Sequence, residues 1–509
     1  MKPALLFLAM LLMSIGAFAH SATAQCLNFG PVGAPHMNGV NGTVRAIAAR
    51  QEGASHVVYV GGNFATVGGS VQARGIARWN GFSWSPVGNL GQFSGEVRTI
   101  AFFNSELYIG GQFTISSEGS PFLRGLAKWN GNAWVAVGGQ ANASAVNALL
   151  VHNGSLYVGG NGLGIVLPGG PSIQTIARWD GLSWNALPLT TQVSVSGDVQ
   201  CMTTHDDGAG PTLFIGGNFS INGPNVSARN VARFEAGTFS ALTVGIQSGF
   251  VYALASYTDS TGPALYVGGD FVDAGGVGNV GRIAKWQNGG WSALGSGIVG
   301  SSVRALTPYA GKLLVGGQFS RAGPLAASSL AAWDGTDWSP VGDGAPPAVF
   351  TISALEDGTG QHVFVGGQFS RIHQSLVNNF ARSIPTAPTV VPAARTLRPS
   401  DVAVFTATPA GDGPFSYRWQ HNGVTLAEGG RYFGTSTPTL LIGPLATPGS
   451  DPAWTDAGQY TVIVTGACGS ASATATLTVE PCAADFNTDG FVNSQDFFDF
   501  LSTFLTGCP

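Results

Sequence analysis

The chain has 509 residues, of which 75 are glycine and 10% are charged, and its formal net charge is −5. This composition favours many short strands joined by tight turns and excludes a bundle of helices. The small negative charge gives no basic surface of the kind that nucleic acids bind, and the hydrophobic residues follow alternating strand patterns, so we expect neither a nucleic-acid partner nor a membrane span in the mature chain.

The N-terminus has the layout of a secretory signal. An apolar stretch over 4–18 follows Lys2, and small residues stand at 22–24, where a signal peptidase would cut. We therefore predict a signal peptide over 1–24 and a secreted or cell-surface location for the mature chain.

A short apolar sequence motif that ends in two glycines recurs at intervals of 48 to 57 residues, and this period is typical of β-propeller blades. Each repeat contains four short segments whose residue composition is typical of β-strands. The seven repeats therefore predict an all-β fold with seven four-stranded blades. The glycine pairs begin at Gly61, Gly110, Gly159, Gly216, Gly268, Gly316 and Gly366.

The last two strands of each repeat form a predicted hairpin. In the first repeat Asn80-Gly81 joins them, and Trp79 and Trp84 flank the turn. A two-residue turn would place Trp84 opposite Ala77 and on the same face as Trp79. The pattern predicts a large ring packed against a small residue.

The seventh repeat stops at Ile384 without a fourth strand, while residues 27–33 match 82–88 in pattern. We expect this N-terminal segment to complete the last blade and to close a seven-bladed propeller over 25–384.

These residues resemble kelch-like and galactose-oxidase-type propellers and, more closely, the GGxF…IARW…W repeat of secreted bacterial proteins and fungal cell-surface polarity proteins. The resemblance implies the propeller fold and a binding role at the cell surface. The copper ligands of galactose oxidase cannot be placed on this sequence.

A proline-rich joint over 385–400 leads into a different pattern, which spans 386–480. Trp419 resembles the central tryptophan of an immunoglobulin-like β-sandwich, and Tyr460 resembles its tyrosine corner. The usual disulfide is absent, because Phe405 and Val462 stand at its positions. We expect this domain to be a spacer, and a binding role stays open.

The last module, 481–509, contains the pattern of a calcium loop. Oxygen-bearing side chains occupy positions 1, 3, 5, 9 and 12, with glycine at 6 and a backbone carbonyl available at 7. The predicted Ca²⁺ ligands are Asp485, Asn487, Asp489, Phe491, Asn493 and Asp496.

This loop resembles a dockerin loop, and the Gly-Cys-Pro ending resembles the short dockerin-like C-terminal module of exported bacterial proteins. The resemblance implies anchoring or sorting through a cohesin-like or sorting partner. The chain has one loop where a dockerin has two, which leaves ordinary cohesin pairing open. Export permits disulfides, and Cys482 and Cys508, which bracket the module, are the best candidate pair.

A less symmetric set of residues stands near the start of each innermost strand, where it should face the mouth of the channel. Its members are Arg45, Arg98, Asn147, Gln200, Tyr252, Arg304 and Ser353. We expect the first six to bind a ligand, with the arginines contacting an acidic sugar or an acidic peptide. The alternative is that these side chains satisfy backbone carbonyls.

No zinc-protease motif, nucleophile elbow or phosphate loop is present, so no catalytic residues are predicted. The sequence predicts a non-enzymatic, exported binding or adhesion protein that recognises a cell-surface glycan or protein. A secreted carbohydrate-active or oxidative enzyme and a structural envelope protein are the alternatives.

Overall fold

The structure is a computed structural model. It describes residues 27–32, 39–53, 55–88, 92–116, 122–139, 143–167, 172–187, 193–356, 361–372, 375–384, 389–391, 394–398, 401–409, 415–445, 456–466, 469–479 and 493–506. Within these ranges the chain is made of β-strands and one helix, α1 (Ser494–Thr506), which confirms the predicted all-β class. None of the described helical residues forms a span long and apolar enough to cross a membrane. The predicted signal peptide and the cysteines Cys482 and Cys508 lie outside the described residues.

The described strands between residues 28 and 384 form seven antiparallel sheets, each built on a path of four strands. Sheet 1 contains Thr43–Glu52, Ser55–Asn63, Ile76–Trp79 and Trp84–Pro86; sheet 2, Gln92–Phe103, Glu106–Ser116, Leu123–Trp129 and Trp134–Val135; sheet 3, Ala145–His152, Ser155–Asn161, Ile176–Trp179 and Trp184–Ala186. Sheet 4 contains Ser194–Asp206, Pro211–Gly223, Val226–Glu235 and Thr238–Ala241; sheet 5, Val251–Asp259, Gly262–Gly269, Ile283–Gln287 and Gly290–Ala293; sheet 6, Ile298–Tyr309, Lys312–Ala322, Leu330–Trp333 and Trp338–Pro340. Sheet 7 contains Pro347–Glu356, Gln361–Phe369, Phe380–Ile384 and the N-terminal strand Asn28–Pro31.

Short additional strands follow the second strand of four sheets. They are Thr66–Val67 with Val71–Gln72, Ile165–Val166 with Ser172–Ile173, Arg371–Ile372 with Ser375–Leu376, and Leu325–Ala326, which pairs with the second strand of sheet 6.

The N-terminal strand is the fourth strand of sheet 7. It runs antiparallel to Phe380–Ile384, with Phe29 opposite Ser383. The Phe29 side chain is 2% exposed within a hydrophobic cluster of sheets 6 and 7, and its carbonyl accepts a hydrogen bond from Ser375 Oγ at 2.7 Å. Both ends of this part of the chain therefore lie in one sheet.

The first strand of each sheet contacts the first strands of the neighbouring sheets, and that of sheet 7 contacts that of sheet 1. The first glycine of each pair lies at these contacts. A Cβ added there would lie 2.4 to 2.7 Å from Cγ1 of a valine in the next sheet, and Gly366 of sheet 7 meets Val44 of sheet 1 in this way. Glycine thus lets successive sheets approach closely.

The second glycine of each pair faces an irregularity in its own sheet. A Cβ added there would lie 1.9 to 2.1 Å from a carbonyl oxygen of the first strand or, in sheet 5, of Phe250, which immediately precedes that strand. At this point the register skips one residue in every first strand, as between Val44 and Ala46 in sheet 1. The skipped residue is the extra residue of a β-bulge.

The hairpin that joins the third and fourth strands differs from the prediction. Trp79 lies opposite Trp84, and Ala77 lies opposite Pro86, because the connection is a four-residue loop. Asn80 Oδ1 accepts the backbone N–H groups of Phe82 and Ser83 at 3.0 and 2.8 Å and holds this loop.

The two tryptophan rings of a hairpin pack against each other, with centroids 5.4 Å apart in sheet 1. The second ring also reaches the preceding segment, since Trp84 Nε1 donates to the Val32 carbonyl at 3.2 Å. Trp134, Trp184, Trp291 and Trp338 make the equivalent bond to Val87, Val137, Leu242 and Leu294.

Residues 389–479 contain two more sheets. One is Thr389–Val391, Ala403–Thr408, Thr439–Ile442 and Tyr432–Phe433; the other is Ala394–Leu397, Gly469–Val479, Gly458–Gly466, Ser416–His421 and Val424–Thr425. They share one core, in which Trp419, Phe405 and Val462 are fully buried. Tyr460 donates its hydroxyl to the Asp456 carbonyl at 2.8 Å, the contact that defines a tyrosine corner.

Two of the predicted Ca²⁺ ligands lie at the start of α1. Asn493 Oδ1 accepts the Gln495 N–H at 2.7 Å, and Asp496 Oδ2 accepts the Asn493 N–H at 2.7 Å, so the pair caps the helix. Asp485, Asn487, Asp489 and Phe491 lie outside the described residues.

Candidate functional site

The six residues predicted to bind a ligand line one cavity of ≈ 420 Å³, together with Glu96 and Phe350. Each of the six is the bulge residue of its first strand, in sheets 1 to 6 in order. A β-bulge redirects the side chain of its extra residue. The doubled glycine therefore makes room for the bulge that brings these side chains together.

The prediction that Ser353 faces the cavity in sheet 7 is wrong. In sheet 7 the register skips between Val349 and Thr351, so Phe350 is the bulge residue and lines the cavity. Ser353 lies three residues further along, and its Oγ donates to the Ile47 carbonyl at 3.3 Å.

One half of the cavity alternates cations with aromatic rings. Arg304 Cζ lies 3.7 Å from the centroid of the Tyr252 ring, and Arg45 Cζ lies 4.1 Å from that of Phe350. Arg304 Nε also donates to Ser302 Oγ at 2.9 Å, and the Tyr252 hydroxyl donates to Asp270 at 3.1 Å. Each guanidinium thus lies over a ring at cation–π distance, and the hydrogen bonds position Arg304 and Tyr252.

The other half is a hydrogen-bonded network that joins sheets 2, 3 and 4. Arg98 donates from Nε to Glu96 at 2.6 Å and from Nη1 to Asn147 Oδ1 at 2.9 Å. The carboxylate of Asp198 accepts Asn147 Nδ2 at 2.7 Å and Gln200 Nε2 at 2.6 Å. These residues fix one another's orientation.

Burial shifts the protonation equilibria of several of these groups. Desolvation raises the pKa of Asp198, because its carboxylate is taken out of water. Desolvation also raises the pKa of Tyr252 and lowers that of Arg304, and the nearby charge of Arg45 lowers the Arg304 pKa further. The two guanidinium groups therefore share a partly desolvated space in which their charges repel.

Charged groups of both signs surround the cavity, since Asp198 and Asp270 accept hydrogen bonds from the lining residues Asn147 and Tyr252. Three arginines line the cavity, and Glu96 is the one carboxylate among its lining residues. Glu96 pairs with Arg98 at 2.6 Å and lies 3.4 Å from Arg45 Nε. Within the described ranges Arg304 has no carboxylate at ion-pair distance, and Arg45 Nε is buried without a hydrogen-bond acceptor.

Sequence reasoning missed Glu96, Asp198 and Phe350. Glu96 stands two residues before Arg98, and Asp198 stands two residues before Gln200. Side chains two residues apart lie on the same face of a strand, so this alternation could have predicted that both carboxylates lie beside the cavity. Across the described part of the chain, no group of three or more His, Cys, Asp or Glu side chains could hold a metal ion. The arrangement offers guanidinium donors and aromatic faces, which suit the binding of an anion.

Residues 27–209 match the family model described as the Rax2 C-terminal beta propeller domain. This match covers less than half of the chain. Together with the all-β structure it supports a β-propeller. A search of the curated proteins finds no match.

Several solved structures show local similarity to the chain. The N-terminal Ig1-2 module of the Drosophila receptor protein tyrosine phosphatase DLAR is 28% identical, and the match covers 19% of this chain and 50% of that chain at a TM-score of 0.16. Titin domain M7 is 25% identical, and the match covers 19% of this chain and 97% of that chain at a TM-score of 0.15. The chain thus spans half of the DLAR module, and TM-scores this low assign no function.

Proposed function

We propose that residues 25–384 form a seven-bladed propeller closed by the N-terminal strand, and that the chain is a non-enzymatic binding protein whose central cavity takes an anionic ligand. The cyclic order of contacts between the first strands supports the closed ring. A propeller hosts many functions, so the binding role rests on the cavity and not on the fold.

The observation that carries the proposal is the convergence of Arg45, Arg98 and Arg304 from three different sheets on one cavity. A guanidinium binds a carboxylate through two parallel hydrogen bonds, and stacking on an aromatic ring orders it beforehand. Preorganised donors in a partly desolvated cavity bind an anion more strongly than mobile surface arginines do.

We propose that the chain is secreted and associated with the cell surface, and that its two C-terminal domains serve this location. The domain over 386–480 acts as a spacer in this proposal, and its buried Trp419 and its tyrosine corner support the immunoglobulin-like fold. The module over 481–509 binds Ca²⁺ and anchors or sorts the chain. Helix α1 begins at Ser494, the tenth position of the twelve-residue loop, and this start of a helix at the end of the pattern supports a calcium loop.

Binding of the full chain to monomeric galacturonate, to a glutamate-rich peptide and to an uncharged hexose tests the proposal. We expect the acidic probes to bind and Arg304→Ala to weaken them by about tenfold or more, the value of one charge-assisted contact. Arg78→Ala is the matched control, because Arg78 pairs with Glu52 on another strand of sheet 1 at 3.4 Å and does not line the cavity.

Equal binding of the uncharged hexose, or unchanged affinity in Arg304→Ala, would contradict the proposal. Turnover of a probe by the wild-type chain would favour the enzyme alternative instead.

A further inference from the structure

Three grooves lie beside the central cavity, on the face of the ring where the first strands begin. They measure ≈ 400, 530 and 400 Å³ and lie between sheets 7 and 1, sheets 1 and 2, and sheets 2 and 3. Glycines at the strand starts, Gly42 and Gly95, contribute to their walls. The grooves therefore repeat with the sheets.

The grooves are continuous with one another and with the cavity. Asn41 lines the first and second grooves, and Ser94 lines the second and third. Gln112 lines the third groove, and its Oε1 accepts Arg98 Nη2 from the central cavity at 2.8 Å. One polar surface thus runs from the cavity across sheets 7, 1, 2 and 3.

A second set of arginines stands further from the ring axis, at the start of the third strands. Arg124 lines the third groove and Arg74 lines the second. Arg124 is exposed and forms no ion pair with any described residue. Positive charges therefore lie at both the inner and the outer ends of this surface.

We propose that the cavity and the three grooves form one site for an extended acidic glycan, a linear polymer whose sugar units bear carboxylates. This inference rests on the proposed function and extends it from a single anionic group to a chain. The central arginines hold one carboxylate and Arg124 holds another further along.

The chemistry of the lining favours a glycan over an acidic peptide. Amide and hydroxyl groups such as those of Asn41, Ser94 and Gln112 form hydrogen bonds with sugar hydroxyls in many directions. An extended peptide commonly adds to a free sheet edge, with apolar pockets for alternate side chains, and an acidic peptide can also be held by an arginine cluster. The exposed lining is largely polar in the groove between sheets 2 and 3, which contains Arg124, and only slightly more polar than apolar in the other two grooves.

The test measures the affinity of the full chain for oligogalacturonates of one to six units. In the wild type we expect the affinity to rise about tenfold with length and then to level off. Arg124→Ala should remove this gain and leave the monomer affinity unchanged. Arg124→Glu should weaken the long oligomers further by repulsion.

Arg229→Ala is the matched control, because Arg229 holds the same register position in sheet 4 that Arg124 holds in sheet 2. Arg304→Ala should weaken all lengths alike. Length dependence that survives in both Arg124 variants would overturn the extended site and leave the central one standing. Tighter binding of glutamate-rich peptides than of oligogalacturonates of equal charge would overturn the glycan assignment. Failure of the monomer and of every oligomer to bind would reject the proposed function itself.

Discussion

The two glycines of each pair are required by different contacts. In sheet 5, Gly268 faces Val303 of the next sheet, and Gly269 faces the Phe250 carbonyl of its own sheet. A side-chain neighbour can shift by rotation, whereas a carbonyl in a bulge is fixed by the surrounding ladder. The first glycine thus sets the distance between sheets, and the second sets the conformation that places Tyr252 in the cavity.

We expect Gly268→Ala and Gly269→Ala to lower the free energy of unfolding by different amounts. A Cβ at Gly268 would lie 2.5 Å from Val303 Cγ1, and such overpacking costs about 1–3 kcal/mol of unfolding free energy. At Gly269 it would lie 1.9 Å from the Phe250 carbonyl oxygen, so the loss should be larger. Chemical denaturation followed by tryptophan fluorescence measures both.

The control is the double variant Gly268→Ala/Val303→Ala. It should be less destabilised than the sum of its two single variants, because the shortened Val303 side chain relieves the contact. Strict additivity of the two changes would show that the glycine does not act through this valine.

The sequence predicted six of the seven bulge residues that line the cavity, because the repeat places a polar residue at the bulge in sheets 1 to 6. It failed in sheet 7, where the bulge residue is Phe350 and the predicted residue was Ser353. A bulge is fixed by its position in the repeat and not by polarity, so a search for polar side chains passes over an aromatic one. The stacking of Arg45 on Phe350 depends on three-dimensional closure, which spacing alone does not reveal.

Among the elements, the hairpin of the third and fourth strands joins each sheet to the segment before it. The Trp338 indole donates to the Leu294 carbonyl at 2.9 Å, while the buried indole N–H of its partner Trp333 lies near the Tyr266 hydroxyl without forming a hydrogen bond of good geometry. The sequence predicted this hairpin and its aromatic pair. It gave the wrong register, because the Asn-Gly pair is part of a four-residue loop held by the asparagine side chain.

We therefore expect Trp338→Phe to destabilise the protein more than Trp333→Phe. The first change removes one of two hydrogen bonds that the Leu294 carbonyl accepts, the other being from the Gly297 N–H at 3.0 Å, and the loss of such a bond costs about 0.5–1.5 kcal/mol. The second removes an N–H that forms no such bond and should cost less, although both rings are similarly buried. Sheet 4, which has Phe234 and Phe239 at these positions, shows that phenylalanine fits. Equal shifts in the denaturation midpoint would contradict the assigned role of the indole bond.

At the scale of the whole molecule, sheet 7 combines the N-terminal strand Asn28–Pro31 with three strands from residues 347–384. Phe29 lies in one cluster with Val349, Val365 and Leu330. The repeat pattern predicted this pairing because the seventh repeat lacks its own fourth strand. Closure by an N-terminal strand protects an edge that would otherwise remain open.

We expect Phe29→Ala to destabilise the whole ring. Truncation of a buried phenylalanine costs about 3–5 kcal/mol, and the loss should lower the denaturation midpoint reported by tryptophans in sheets as distant as sheet 3. Phe82→Ala is the control, since Phe82 is 91% exposed in a hairpin loop and should change stability by about 0.5 kcal/mol or less. A loss confined to sheet 7 would argue against a cooperative ring.

The pairing of the N-terminal strand also sets the order in which the protein can be built. Ser375 and Phe29, joined by one hydrogen bond, are separated by 346 residues, so the strand that leaves the ribosome early waits for a partner that is synthesised much later. Pairings this distant in sequence slow folding. Until the N-terminal strand pairs with Phe380–Ile384, the unpaired edge of that strand stays available to other chains. We therefore expect the pairing of the N-terminal strand with Phe380–Ile384 to be the last step in forming the proposed ring, and aggregation to compete with folding until that pairing is made.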